Sequence, residues 1–242
     1  MPRHPTRRRI RLATLLTAVT ATVASLSGWY RAPAMYSGPG WQIETSAGIY
    51  SLAPDEYTIV FADTTARTKL TPYLTGPAAQ IQAATGVPVT VSSTLDTTPA
   101  SACPPRHRIV VHYTYRPLGT AGYSQALPCY NTVDGSAWGG HMLMDSEYWT
   151  TANWFSANAA VNEAMRKNAV THELGHIVGL DHPNTDLDAD GTVEPYECVT
   201  DGGVRPVMCS PNGGYTSASG GGQYTPADVT GLQQLALNYY RR

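Results

Sequence analysis

His172, Glu173, His176, Gly179 and His182 are spaced as H-E-x-x-H-x-x-G-x-x-H, and each position has a chemical reason. On a helix, residues four apart share one face, about 6 Å from each other. His172 and His176 can therefore grip one metal ion with their imidazoles. Glu173 sits about 100° further round, where its carboxylate reaches a metal-bound water. Gly179 can take the left-handed backbone that ends a helix and reverses the chain. The reversal returns His182 as a third ligand. Three neutral imidazoles with a fourth position left for water describe a catalytic zinc rather than a structural one. With only 7 His in 242 residues, the full pattern arises by chance about once in 65,000 such chains.

A second metal signal follows at once. Residues 186–197 carry Asp186, Asp188 and Asp190 at positions one, three and five of a twelve-residue loop, Gly191 at six and Glu197 at twelve. That is the spacing of a calcium loop, with Thr192 offering its backbone carbonyl. Hard carboxylate oxygens suit Ca²⁺ and not zinc. Pro183 precludes a helix running into the loop, so the alternative is a solvated acidic turn.

The zinc pattern resembles the extended signature of the metzincin clan of zinc endopeptidases. Met208, in Pro206-Val207-Met208-Cys209, resembles the methionine turn that metzincins place beneath the metal. Residues 139–150, from Gly139 through His141 to Trp149-Thr150, resemble the substrate-flanking strand of matrixins, one residue longer. The likeness spans about residues 57–240 and is specific at 172–182 and 206–208. It implies a matrixin-like secreted bacterial protease in which an extended substrate lies along 141–144. It also implies an α/β (α+β) fold: a twisted mixed sheet with two backing helices, a zinc cleft, and a small irregular lower subdomain ending in a C-terminal helix. His141 stands where matrixins hold a structural zinc, with His107 and His112 the other histidines at hand.

Elements must bring these residues together. Val161, Met165, Ala169, His172 and His176 form one stripe of a helix expected over 159–178. Strands are expected at 57–61, 87–91, 108–115 and 141–144, and a helix marred by Pro72, Gly76 and Pro77 at 70–84. Strand, helix, strands, helix is an α/β order. Thr225-Pro226 starts a C-terminal helix, Thr as cap and Pro at the first position. Three segments follow: an export signal at 1–27, an arm or short propeptide at 28–55, and a catalytic domain at 56–242 divided at 182/183.

The signal reading rests on five arginines before residue 12 and a short apolar stretch from Leu12 to Ala24. Its removal leaves 11 Lys+Arg against 18 Asp+Glu, a charge near −7. Such a chain repels nucleic acid and anionic membranes. Four cysteines in an exported protein point to two disulfides. Three pairings are open, and the local one is Cys103–Cys129 with Cys198–Cys209.

The expectation is a secreted, monomeric zinc endopeptidase, with Ca²⁺ as a second ion and a protein or peptide as substrate. Glu173 acts as base on a zinc-bound water, and no stable membrane association remains once the signal is cleaved. Two alternatives stay open: an extracellular binding module that zinc and calcium merely stabilise, and an amidase on cell-wall peptides.

Overall fold

The computed structural model describes residues 32–241; the expected export signal lies outside them. The chain first makes β1 (Ser37–Gly38), β2 (Trp41–Ile43), a 3-10 turn over Thr45–Ala47 and β3 (Ser51–Leu52). β4 (Tyr57–Phe61) is the β-branched and aromatic run, and it is almost wholly buried. α1 (Thr64–Thr85) follows, capped by Asp63, whose Oδ1 accepts from the Ala66 N–H at 2.8 Å. It starts six residues before the expected helix and runs through both prolines. Its buried stripe of Ala66, Leu70, Leu74, Ala78 and Ile81 packs into the core, and that burial outweighs two missing N–H donors.

β5 (Val89–Leu95) and β6 (Arg108–Thr114) come next, then β7 (Gln125–Tyr130) and β8 (Ser136–Asp145). The main sheet runs β3-β8-β6-β4-β5 with parallel neighbours, and β7 lies antiparallel on β8. This mixed sheet corrects one expectation. His141 pairs with Val110 on one side and Leu127 on the other, so strand 141–144 has no free edge to offer a substrate. β7 is the outer strand. Pro128 within it is tolerated because an edge strand need not donate on both sides.

A single turn, α2 (Glu147–Thr150), leads toward α3 (Ala159–Val178), the expected motif helix. Asn158 caps it by accepting from the Ala160 and Val161 N–H groups. Both α1 and α3 pack on the sheet and against each other. β9 (Leu180–Asp181) pairs antiparallel with β2. The stretch to residue 225 is mostly loop, and α4 (Pro226–Tyr239) ends the fold. The core gathers Tyr57, Ile59 and Phe61 with Ile109, Val111, Met142 and Met144 from the sheet, and Leu74, Leu174 and Ile177 from the helices.

Residues 32–55 pack into the fold. β3 belongs to the main sheet, and Ile43, Ile49 and Leu52 are fully buried. From Ala32 onward the chain forms a single unit, with no boundary at 55/56. The disulfides are Cys103–Cys129 and Cys198–Cys209. Among the described residues no helix is long and apolar enough to cross a membrane.

Candidate metal centre

Residues 172 and 176 lie one turn apart on α3, and the chain reverses immediately after it. Gly179 makes that reversal at φ 108°, donating its N–H to the Gly175 and His176 carbonyls. A side chain there would also strike Ile49 Cγ2 at 2.8 Å. The return brings His182 back to the helix. His172 Nε2 lies 3.1 Å from His176 Nε2 and 3.0 Å from His182 Nε2, and the third side of the triangle is 3.1 Å.

Hydrogen bonds settle what these nitrogens carry. His172 Nδ1 meets the Val207 carbonyl and His176 Nδ1 the Leu180 carbonyl, each at 2.8 Å. A carbonyl only accepts, so both Nδ1 atoms hold the proton and both Nε2 atoms present lone pairs. Lone pairs crowded at 3 Å repel one another unless a cation lies between them. Zinc–imidazole bonds of about 2.0–2.1 Å at tetrahedral angles place nitrogens about 3.3 Å apart, close to this triangle. The residues therefore fit zinc. Burial pushes His172 down to about 4 and His176 well below its usual range, and the neighbouring imidazoles add to both, which keeps the rings neutral. Burial alone pushes the Glu173 carboxyl up to about 8.

Met208 is buried against Gly175, where an added Cβ would overlap its Sδ. Its segment is anchored from α4. The Asp228 carboxylate accepts from the N–H groups of Val207 at 2.8 Å and Met208 at 3.2 Å, and from the amide and hydroxyl of Thr225. The Cys198–Cys209 bond ties the next residue. A polar path thus runs from the cap of α4 through Val207 to the ring of His172.

The centre opens into a cleft of about 600 Å³. One wall is the α3 stripe of Met165, Ala169, His172, Glu173 and His176; another is Ser124, Gln125 and Ala126 at the start of β7. In the 186–197 loop, carboxylate oxygens of Asp186, Asp188 and Asp190 lie within 4.8 Å of one another. Asp186 accepts from the Ala189, Asp190 and Gly191 amides. Glu197 stands outside that group; its carboxylate accepts from the Leu187, Asp188 and Glu194 amides and draws the loop closed. Thr192 donates its own amide to Asp190.

No family model matches the chain. Serralysin G from Dickeya chrysanthemi is similar: 34% identical over 97 residues, 36% of this chain. The match takes in 20% of the length of that protein. Among solved structures, the GM1-bound form of the ECX AB5 holotoxin aligns over 84% of this chain and 87% of its own, at 13% identity and a TM-score of 0.46. That likeness is too low to carry an argument.

Among the described residues, the other three histidines, 107, 112 and 141, do not form one cluster. His141 Nε2 meets the Ala102 carbonyl at 2.8 Å, so His141 Nδ1 must accept, and it does so from His112 Nε2 at 2.9 Å. Both rings are used without a metal. His107 lies apart, edge-on to Tyr57 and 3.6 Å from Asp55. The sequence had no signal for Glu44, which comes from an aperiodic segment. It lines the cleft beside Asp181, one oxygen buried without a partner, and burial with the Asp181 charge pushes it up to about 7.

Proposed function

We propose that this chain is a secreted zinc-dependent endopeptidase. The carrying observation is the triangle of imidazole nitrogens, two of them fixed as lone-pair donors by backbone carbonyls, with Glu173 adjacent in an open cleft. His172, His176 and His182 would hold the zinc, which when bound supplies a Lewis acid that polarises a carbonyl and acidifies water. Glu173 takes a proton from the attacking water, whose oxygen bonds to the peptide carbonyl carbon. The same proton passes to the amine nitrogen as the C–N bond breaks. An extended substrate adds its main chain along the outer edge of β7, beside the cleft wall. Asp186, Asp188 and Asp190 are the proposed Ca²⁺ ligands, and the two disulfides accord with an extracellular site of action. The partial likeness to serralysin G adds to this reading.

The first test is casein hydrolysis, which should vanish with a chelator and return with zinc; cell-wall peptides as substrate distinguish an amidase. Glu173→Gln should retain zinc by metal analysis and lose at least about 10²-fold in turnover. Near-normal turnover by that zinc-loaded variant would overturn the catalytic role.

A further inference from the structure

The cleft has a direction. Met165 lies seven residues, about 10 Å of helix, before His172 on the same face of α3. That end is walled by apolar side chains. Tyr148 and Phe155 pack there with tilted rings, centroids 4.9 Å apart, and the Phe155 amide is tied to Asn162 in the first turn of α3. Asn212 stands at the end of this run, only 8% exposed. Its Nδ2 donates to the Met165 carbonyl at 3.1 Å, which fixes the orientation of the amide. Its Oδ1 is buried and accepts nothing.

Two other buried asparagines on α3 show that this is unusual. Asn162 Oδ1 accepts from Phe155, and Asn168 Oδ1 accepts from the Gly222 amide. A buried acceptor left unpaired is costly, and a donor that reaches it recovers the loss. Asn212 lines the cleft, so the donor can come from what the cleft binds. The neighbouring surface shared by Met165, Tyr196 and Asn212 also carries Arg205, held over the Tyr196 ring. A cationic tip would lose its hydration among the apolar walls, and an anionic tip would meet the Asn212 oxygen.

We propose that Asn212 makes the cleft select a substrate side chain with a long apolar body and a neutral hydrogen-bond donor at its tip, tyrosine being the type case. The selection rests on the endopeptidase reading, because a peptide must lie beside Glu173 for one of its side chains to extend toward Met165. A short side chain ends before Asn212. Phenylalanine fills the same apolar space and leaves Oδ1 unpaired. Sites built to pair a substrate hydroxyl discriminate strongly against the analogue that lacks it.

The experiment uses one peptide scaffold with Tyr, Phe, Lys or Glu at each position flanking the cleaved bond. In the zinc-loaded wild type, one position should favour Tyr over Phe by about tenfold in kcat/KM, with Lys and Glu below both. Asn212→Leu should bring the Tyr/Phe ratio to about one; if that variant does not fold, the wild-type ratio decides alone. Calorimetric binding of the Tyr and Phe peptides to Glu173→Gln reads the same preference without turnover. Equal kcat/KM and equal binding for Tyr and Phe would overturn the proposal, even with casein hydrolysed. Tyr-selective binding without any casein hydrolysis would uphold the pocket and overturn the endopeptidase reading.

Discussion

Gly175 shows how much a missing methyl group can decide. It occupies an unspecified position of the histidine motif, yet its bare backbone is what lets Met208 press under the helix between His172 and His176. Gly175→Ala should force Met208 aside and destabilise by about 1–3 kcal/mol, the usual range for overpacking. Thermal unfolding would measure it, and zinc retention after dialysis should fall with it. Helix propensity alone predicts the opposite sign. The pair of half-buried His112 and buried His141 gives a second prediction. Burial first, then the adjacent His141 ring, push His112 down to about 4, with Asp63 opposing. An unfolded histidine takes its proton near about 6.5, so between those values the unfolded chain binds more protons. Stability contributed here is present at neutral pH and is lost as pH falls from about 6.5 to about 4. The melting temperature should drop more between pH 7 and pH 5 in wild type than in His112→Gln; equal drops would refute it. The grouping of His172, His176 and His182 was legible in the sequence because their spacing brings three imidazoles together. Asn212 and Glu44 were not, since each becomes chemical only through what folding packs around it.

At the scale of elements, α3 was readable to its ends because an asparagine cap, an apolar stripe and a glycine stop agree. β7 was not. Gln125–Tyr130 holds a proline and does not alternate cleanly, and its strand character comes from pairing with β8. Without β7, strand 141–144 reads as an edge open to a substrate, and its pairing on both sides removes that edge. In α1, Pro72 and Pro77 are strong breakers locally, and only the packing of its stripe overrules them. The loop at 186–197 carries its own prediction. Three carboxylates crowded together repel without a cation, and the Glu197 carboxylate already gathers the loop by its amides. At fixed zinc, millimolar Ca²⁺ should raise the melting temperature of wild type and leave Asp188→Ala unmoved. An ion at a hundred times its dissociation constant is worth about 2.7 kcal/mol. Equal shifts in both proteins would make the loop a plain acidic turn.

Across the whole molecule, the aperiodic N-terminal stretch does more than its composition announced. Trp41, Ile43, Ile49 and Leu52 are each at most 4% exposed and belong to the main core. At about 1.5–3 kcal/mol per large apolar side chain, losing four of them removes about 6–12 kcal/mol. A domain is stable by only about 5–15 kcal/mol. A chain starting at residue 56 should therefore show no cooperative melting transition by circular dichroism. A sharp transition would show that the segment is dispensable after all.

The path from Asp228 through Val207 to His172 has a consequence in time. Ribosomes release the chain from its N-terminus, so the motif helix exists well before α4 does. Until residue 228 has emerged and folded back, the Val207 and Met208 amides lack their acceptor. The carbonyl that fixes the His172 ring then lacks its anchor from α4. A chain not yet extended to residue 228 would carry all three histidines and still lack the α4 part of the scaffold that aligns them. The alignment of the three imidazoles would thus come late, after residue 228 has joined the fold.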